Sequence, residues 1–451
     1  MNSLSFYLGL CSGKLASFLL GKDDDRPGLL ARKFDIDFMA HAGKPQHVLL
    51  VTGTNGKSSI TNMINDMYQD LCVKTSCNAN GKNTFAGQSL VLLKANSLFN
   101  KPCVDMIVME ADELHADETF PQITPTHLII SNLGRDSMYK NANPEIPCRS
   151  LKKALDKLKD TVLFLNGDDP LSCFISDQHK RIYYGVADLG LKSLPSISND
   201  YSICARCGHQ PIYKYRNYRH IGAFECPNCG LKAPEKDYLC TDVNDATITV
   251  KEKAGSFVYP KISDTVYNIY NQTAIIAYFR EMGYEAAKIA ELLKKIRLPE
   301  FREEQLTVNG IEVIRRAMKG QNASAAGSVL QSLIGEEGNK LVILMEDEMP
   351  DETTLETICW IWDTDFEYLK DDKIRKIIVS GRRHFDHNVR LLTAGIERSR
   401  MVHFEDDREI VNNLDVKGID KIYILYDVEA FSRSKLVLKE VKEYLEKIHE
   451  D

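Results

Sequence analysis

The sequence predicts an α/β protein with two units: a larger one around a mostly parallel sheet, interrupted by a cysteine-rich insertion, and a smaller Rossmann-like one after it. Three observations lead to this fold class. A chain of 451 residues is too long for a single hydrophobic core. Short apolar runs alternate with helical segments, which is typical of parallel sheets flanked by helices. The alternation begins again near residue 301, after the insertion has interrupted it.

These observations divide the chain into three parts. We expect an N-terminal helical segment at residues 1–45, a central domain at residues 46–300 and a C-terminal domain at residues 301–451. The insertion occupies about residues 201–233 of the central domain. Each of the two larger parts has an ordinary domain size.

The expected strands can be assigned in chain order. The first unit has the apolar runs HVLLVT, VDMIVME, THLIISN, TVLFLNGD and RIYYGV. After the insertion come the strand-like DATITVKEK and SFVYP and the helix IYNQTAIIAYFREMGY. The second unit has IEVIRRAM, KLVILME, KIIVSG and KIYILYD, each followed by a helical segment. This order predicts a mostly parallel sheet flanked by helices in the first unit and a second, smaller α/β unit.

Composition narrows the class of protein. With 43% hydrophobic and 27% charged residues, the chain resembles an ordinary globular protein. Its net charge of -7 argues against bulk nucleic acid as the main partner, because phosphate binding needs an excess of Lys and Arg. The 12 cysteines do not form a disulfide framework, which favours the reducing cytosol.

The N-terminal run SLSFYLGLCSGKLASFLLG predicts a helix. It is too short, and too interrupted by Lys14 and small polar residues, to span a membrane. A helix packed on the main body is the favoured interpretation. Contact of this helix with a membrane surface is the alternative.

A phosphate-binding loop follows the first strand. Residues 53–58, GTNGKS, satisfy G-x-x-G-K-[ST] between a strand and a helix, although the loop is two residues shorter than the usual Walker A. Backbone N–H groups at the glycines and the ammonium group of Lys57 would hold phosphates, and Ser58 would bind magnesium. The predicted cofactors are therefore ATP and magnesium, with these loop residues: Gly53, Thr54, Asn55, Gly56, Lys57, Ser58 and Ser59.

Two C-x-x-C pairs predict a zinc site. Cys204 and Cys207 are separated from Cys226 and Cys229 by residues 208–225, and a glycine follows each pair. Four thiolates close a tetrahedron around zinc and leave no position for a catalytic water, so the metal would be structural. The intervening YKYRNYRH, taken alone, favours an alternative function, a zinc-ribbon nucleic-acid-binding ATPase.

The loop VTGTNGKSS is similar to that of the Mur ligases and folylpolyglutamate synthases, which activate a carboxylate as an acyl phosphate for attack by an amine. The landmarks VMEADE, ISNLGRDSM, LNGDDPL, YNIYN and FRE follow in the order of that superfamily. The cysteine insertion and WIWDTDFE make the chain most similar to the MurT branch. The resemblance covers essentially the whole chain and implies a Mur-ligase-type central domain with a zinc-ribbon insertion.

The resemblance implies roles beside the phosphate loop. Glu110, at the end of VDMIVME, matches the glutamate that holds magnesium, and Asp112 and Glu113 are weaker candidates. Asn271 in YNIYN resembles the asparagine that contacts the adenine or its neighbourhood.

Two further turns are implied to line the nucleotide. Asn132, Arg135 and Asp136 lie in ISNLGRD. Asp168 and Asp169 lie in NGDDP, which closes the nucleotide site in the family. Capping of a helix N-terminus is the alternative role for these acids.

The last domain is implied to complete the site. Arg302 corresponds to an arginine that reaches the γ-phosphate. Lys319 stands where the family has a lysine before Asn-Pro, but GQNASA follows it here.

MurT proteins act with a glutaminase subunit, GatD, in a lipid II isoglutaminyl synthase, so the resemblance implies a heterodimer. In the family, an Asp of the MurT subunit orients the glutaminase histidine. Here Thr357 occupies the ungapped position; Glu356 is the first candidate for the role and Asp351 the second. The chain is either a divergent MurT or a paralogue with a changed acceptor, ammonia source or partner.

The implied activity is ATP-dependent amidation of the D-Glu α-carboxylate in the lipid II stem peptide, in the cytoplasm at the inner membrane face. A stand-alone amino-acid ligase of the Mur or folylpolyglutamate type is the alternative of the same chemistry. No nucleic-acid partner is expected.

Overall fold

The fold was analysed in a computed structural model that describes residues 4–21, 24–78, 81–135, 143–190, 200–296, 303–318, 322–345, 359–427 and 429–448. The described residues form two compact units. The first takes in those of 1–134, 143–189 and 200–296, and the second takes in Arg135, Gly190 and those from 303 onward.

Three helices precede the first strand: α1 (Leu4–Leu20), α2 (Arg26–Phe34) and α3 (Phe38–His41). The expected N-terminal helix is confirmed, and it packs on α2 and on the later helix α5 (Phe85–Ala95). Gly9 and Gly13 permit this packing: a Cβ on Gly13 would meet Leu93 and the Pro27 carbonyl oxygen at 3.1 Å. None of the described helices is long and apolar enough to cross a bilayer.

The first unit has a nine-stranded sheet with the order β11-β10-β9-β6-β5-β4-β1-β3-β2, and a separate β7–β8 hairpin. The sheet is parallel from β2 to β9, and β10 and β11 continue it antiparallel. The strands are β1 (His47–Thr52), β2 (Thr75–Cys77), β3 (Met106–Glu110), β4 (His127–Ile130), β5 (Val162–Asn166), β6 (Arg181–Val186), β7 (Ile212–Tyr218), β8 (Ile221–Glu225), β9 (Tyr238–Val243), β10 (Thr247–Glu252) and β11 (Gly255–Pro260).

Helices cover both faces of this sheet, so its strands are apolar on both sides. The remaining helices are α4 (Lys57–Asp70), α6 (Ala116–Ile123), α7 (Glu145–Leu155), α8 (Val266–Glu281) and α9 (Ala286–Leu293). Along β1, Leu49 and Val51 pack in the core that includes α4 and α8. Val48 and Leu50 pack in the opposite core, which includes α5, α6 and α7.

The sheet order places β1 between β3 and β4, and both pairings are parallel. From β1 the chain passes through α4 to the edge strand β2 and returns through β3, whereas β4 and β5 extend the other side. The strand order thus reverses at β1. Ligands of open α/β sheets bind at the carboxyl end of such a strand.

The second unit has a six-stranded sheet with the order β12-β13-β17-β14-β15-β16, in which only the β12–β13 hairpin is antiparallel. That hairpin turns at Asn309 and Gly310, both at positive φ, as an Asn-Gly turn favours. The elements are β12 (Glu303–Val308), β13 (Ile311–Ala317), α10 (Ala323–Gly335), β14 (Lys340–Met345), α11 (Cys359–Asp363), β15 (Ile374–Ser380), α12 (His384–Thr393), β16 (Met401–Phe404), α13 (Glu409–Asn412), β17 (Lys421–Tyr426) and α14 (Phe431–Lys447).

The α/β fold class and all eleven predicted strands are confirmed. The sequence patterns did not predict β2, β7, β8, β9, β12 or β16. Those strands are short or partly polar, such as EEQLTV in β12, and lack the continuous apolar run of a central strand.

Candidate nucleotide site

The phosphate loop lies at the carboxyl end of β1 and leads directly into α4. Gly53 has φ of 125° and Gly56 has φ of 90°, a conformation that side chains with a Cβ rarely adopt. Space is also lacking at Gly53, where a Cβ would meet the Asn132 carbonyl oxygen at 2.7 Å. Both glycines are therefore required by the shape of the turn.

The loop after β4 supports the phosphate loop. The backbone N–H of Thr54 donates to the Asn132 carbonyl oxygen at 2.8 Å, and the Thr54 hydroxyl donates to the Gly134 carbonyl oxygen at 3.1 Å. The Asn132 side chain accepts from the Asn55 N–H at 3.3 Å and donates to the Asn55 carbonyl oxygen at 3.0 Å. Asn132 thus shapes the loop, whereas the resemblance had assigned it to the cofactor.

Lys57 is held by an ion pair. Its ammonium group donates to Glu113 Oε2 at 3.0 Å and to the Gly53 and Thr54 carbonyl oxygens, and its side chain is 10% exposed. Burial raises the pKa of Glu113, and the positive charge of Lys57 opposes that rise. Glu113, a weaker candidate for magnesium, is thus the partner of the loop lysine.

Glu110 is the last residue of β3, beside the phosphate loop. Its Oε1 accepts from the Asn83 amide at 3.1 Å, but its buried Oε2 has no hydrogen-bond partner among the described residues. A Cβ placed on Gly81 would lie 3.9 Å from this oxygen and 3.5 Å from the Ser58 hydroxyl. A carboxylate and a hydroxyl therefore face one small space beside the phosphate loop, and such oxygen ligands fit magnesium.

Asn271 contacts the first turn of α4. A Cβ on Gly56 would lie 3.1 Å from the Asn271 amide carbon, so this side chain fills the space that the glycine leaves. Asn271 donates to Asn268 at 3.2 Å, and Asn268 donates to Thr265 at 2.8 Å. The α8 asparagines therefore lie against the phosphate loop.

Asp168 has buried protein partners. Its carboxylate lies 2.7 Å from the Lys236 ammonium and accepts from the Val186 N–H and the Tyr270 hydroxyl, each at 2.9 Å. It is fully buried, and so is Asp169, which accepts from the Leu133 N–H at 2.8 Å. The contacts of Asp168 join β6, α8 and Lys236, just before β9, and they do not support its expected role toward the nucleotide.

The four cysteines form one cluster. Their Sγ atoms all lie within 4.8 Å of one another. Gly208 donates to the Cys204 carbonyl oxygen at 2.9 Å, and Gly230 donates to the Cys226 carbonyl oxygen at 3.0 Å. Both glycines have positive φ, so the two C-x-x-C pairs make matching turns. Four converging thiols on matching turns fit a structural zinc ion.

The hairpin between the cysteine pairs is attached beside the phosphate loop. The His220 Nε2 and the Leu133 carbonyl oxygen are 2.8 Å apart, and the Gly222 N–H donates to the Asp168 carbonyl oxygen at 2.9 Å. Asn217 donates to the Tyr270 hydroxyl at 2.9 Å. Sequence reasoning missed these residues, because nothing in YKYRNYRH indicates which loop it contacts.

The predicted residues of the C-terminal domain and of the triad lie outside the described residues, as does Asp136. They are Arg302, Lys319, Asp351, Glu356 and Thr357.

Comparisons with known proteins agree with this geometry. Residues 51–207 match the Mur ligase middle domain and residues 320–430 match the MurT ligase C-terminal domain. The chain is 26% identical over 432 residues, 94% of each chain, to the lipid II isoglutaminyl synthase (glutamine-hydrolyzing) subunit MurT of Streptococcus pneumoniae. It is 27% identical over 422 residues, 89% of this chain and 90% of the relative, to the protein of that name in Staphylococcus aureus (strain COL).

The solved structure of a pseudomurein peptide ligase type C from Methanothermus fervidus has the same fold. Its TM-score is 0.69 at 17% identity, over 93% of this chain and 85% of that one. One matching domain belongs to Mur ligases in general and the other to MurT, and the MurT relatives are similar along nearly their whole length, so these matches together support a divergent MurT.

Proposed function

We propose that this chain is the ATP-dependent synthetase subunit of a lipid II isoglutaminyl synthase. The D-Glu α-carboxylate of the lipid II stem peptide would attack the γ-phosphorus of ATP, and ADP would leave. Ammonia would then attack the acyl phosphate, and phosphate would leave as D-isoglutamine forms. The observation that carries the proposal is the loop of Lys57 and Ser58 beside Glu110, in a chain whose second unit matches the MurT C-terminal domain.

Positioning and charge neutralisation would supply most of the catalysis, as in other phosphoryl transfers. Lys57 lies at the start of α4, where its ammonium group can move from Glu113 to an incoming phosphate over a short distance. The helix N-terminus also favours anionic groups there. Arg302 and Lys319 are proposed to complete this charge from the C-terminal domain.

Glu110 and Ser58 are proposed to hold magnesium. The ion, when bound, would reduce the repulsion between phosphate and carboxylate. Asn78 fixes the backbone of Glu110 at both its N–H, at 2.7 Å, and its carbonyl oxygen, at 2.9 Å. Asn83 orients the carboxylate, so Oε2 is directed by bonds that do not depend on the metal.

The cysteine cluster is proposed to hold zinc as a structural ion. Zinc would fix the two turns that carry the β7–β8 hairpin, and through His220 that hairpin contacts Leu133. The adjoining Gly134 accepts a hydrogen bond from Thr54 of the phosphate loop. Zinc would therefore stabilise the support of the nucleotide site without contacting the nucleotide.

The ammonia source is proposed to be a GatD-type glutaminase that forms a heterodimer with this chain. The MurT relatives are named as subunits of a glutamine-hydrolysing enzyme. We propose Glu356, and after it Asp351, as the carboxylate that orients the glutaminase histidine. The lipid-linked substrate would place the reaction at the inner face of the cytoplasmic membrane.

Co-expression with a GatD-type partner tests the function. The purified pair should amidate lipid II with glutamine and ATP, and mass spectrometry of the product measures this directly. Lys57→Ala should remove both amidation and ATP binding. Lys74→Ala, which changes an exposed lysine of the same unit, is the matched control and should keep both activities. ATP hydrolysis without amidation of lipid II would overturn the proposed substrate.

A further inference from the structure

Helix α1 is apolar on two opposite faces. Phe6, Gly9, Leu10 and Gly13 are buried on one face. On the other face an apolar stripe is exposed, which we call the α1 stripe; its members are Leu4, Tyr7, Leu8, Cys11, Leu15, Phe18 and Leu19. Positions 4, 8, 11, 15 and 18 alternate in steps of four and three, so they lie in one row along the helix.

The exposure of the α1 stripe is large. Leu15 is 62% exposed, Leu19 71% and Phe18 86%. A helix of 17 residues is about 25 Å long, and the stripe follows it from the first residue to the penultimate one. Contiguous apolar surface of this extent on a folded protein marks an interaction site.

The packing of α1 keeps the stripe turned outward. A Cβ on Gly9 would clash with the Ala31 carbonyl oxygen of α2, and one on Gly13 would contact Leu93 of α5. The α2 helix is in turn seated on α5 at Gly28, where a Cβ would lie 2.7 Å from the Leu90 N–H nitrogen. Because backbones meet at these glycines, rotation of α1 to bury its outer face would break both contacts.

The charge around the stripe fits an anionic surface. Residues 4–21 contain Lys14 and no acidic residue, and residues 26–34 contain three basic residues and no acidic one. The linker between the two helices contains Lys22 and three acids, Asp23, Asp24 and Asp25, and Asp24 is paired with Arg26. Residues 4–34 thus have five basic and three acidic residues, a net charge of +2. The whole chain has a net charge of -7, so an anionic surface would repel much of the remaining protein and favour approach by this net-positive segment.

We propose that the α1 stripe docks this protein on the surface of an anionic lipid bilayer, with α1 lying in the plane of the interface. Phe18 and the leucines would enter the boundary between headgroups and acyl chains, while Lys14 beside them stays at headgroup level. The choice of a bilayer rests on the proposed function, because a lipid-linked substrate is presented at such a surface. The helix does not cross the membrane.

Vesicle flotation tests the proposal with the full chain. Wild type should float with phosphatidylglycerol vesicles and much less with phosphatidylcholine vesicles. Leu15→Glu/Phe18→Glu should lower its partition into the anionic vesicles at least about tenfold, because two large apolar groups are replaced by charges. Leu436→Glu is the matched control: it changes a leucine of α14 that is 63% exposed, and it should float as wild type does.

Three results would overturn the proposal. One is equal flotation of wild type and the double variant; another is no flotation of wild type. The third is a wild-type dimer in solution, or a complex with the glutaminase, that the double variant disrupts while neither protein binds vesicles. The α1 stripe would then cover a protein surface. Retained ATP binding by the double variant verifies its folding.

The flotation result is independent of turnover, since the vesicles contain no substrate. Failure of lipid II amidation would therefore not contradict the docking of the α1 stripe on a bilayer. If both proposals hold, the double variant should lose activity on lipid II embedded in vesicles and keep activity on a water-soluble stem-peptide analogue.

Discussion

The ammonium group of Lys57 lies 3.0 Å from Glu113 Oε2, although 56 residues separate the two in the chain. The lysine that is expected to bind phosphate is thus already paired with a carboxylate. Glu113 is 4% exposed, and burial raises its pKa despite the nearby positive charge. An incoming phosphate must therefore compete with Glu113 for the ammonium group of Lys57. Burial disfavours the charged form of Glu113, which weakens it as a competitor.

Glu113→Gln should bind ATP about tenfold more tightly than wild type, because Lys57 no longer has a charged competitor. Isothermal titration calorimetry measures this. Glu118→Gln, the same change at an exposed position in α6, should leave the affinity unchanged. Weaker ATP binding by Glu113→Gln would contradict the competition.

Ionisation of the buried Glu113 should destabilise the folded protein, and the pH dependence of stability tests this. The pKa of Glu113 is higher in the folded protein than the ordinary glutamate value of about 4.3. The folded protein therefore becomes less stable as pH rises from the unfolded-state pKa to the folded-state pKa, because the carboxyl group must then ionise in a buried place. The glutamine variant lacks this loss. Its melting temperature should equal that of wild type in acid, below the ordinary glutamate pKa, and exceed it at pH 8 in thermal scans.

Glu110→Gln should weaken magnesium-dependent ATP binding at least about tenfold, because its unpaired Oε2 loses the charge that a divalent cation requires. Binding measured in EDTA should change little. Asp112→Asn is the control, since the nearby Asp112 caps the Leu114 N–H at 2.8 Å and an asparagine oxygen preserves that bond. Equal losses with and without magnesium would argue against a metal ligand.

Cys226→Ser should remove zinc and lower both the folding yield and the melting temperature, the latter by about 10 °C. Metal analysis should give one zinc per wild-type chain and none in the variant. The exposed Cys103 is outside the cluster, so Cys103→Ser should retain the zinc and the stability. A variant without zinc that keeps full stability would refute the structural role.

His220→Ala should lower ATP affinity about fivefold while the zinc content stays unchanged. Its Nε2 is 2.8 Å from the Leu133 carbonyl oxygen, and loss of this buried bond loosens the loop that supports Thr54. His209→Ala, at an exposed position in the same insertion, is the control. Unchanged ATP affinity in both variants would show that the β7–β8 hairpin does not support the nucleotide site.

Glu356→Ala should lower glutamine-dependent amidation about 100-fold or more and leave amidation driven by added ammonium salts intact. The difference arises because a triad carboxylate serves glutamine hydrolysis and not acyl phosphate formation. Asp351→Ala is the comparison. Loss in Asp351→Ala together with full activity in Glu356→Ala would transfer the role to Asp351.

The sequence predicted those features that depend on neighbouring residues. Lys57 and Ser58 follow a strand and begin a helix, and Cys204 and Cys207 share one turn. Phosphate binding and metal binding could therefore be predicted from the spacing of neighbouring residues. The eleven predicted strands are likewise encoded by apolar runs. The six missed strands depend on pairing with neighbours that local pattern does not reveal.

Contacts across the chain were decided by the tertiary structure. Parallel pairing of β3 beside β1 brings Glu110 and Glu113 to the phosphate loop. Glu113 pairs with the ammonium group of Lys57, whereas Glu110 Oε2 has no hydrogen-bond partner in the described part of the chain. Strand order likewise buries Asp168, which the family resemblance had implied would line the nucleotide.

The sequence by itself determined the α/β class, the phosphate loop and the cysteine cluster, because each arises from residues within a few positions of one another. Only the tertiary structure decided the partner of Lys57, the loop that the β7–β8 hairpin contacts and which face of α1 is exposed. Those outcomes depend on which strands become neighbours and on where Gly9 and Gly13 let two helix backbones meet, and neither is set by local periodicity.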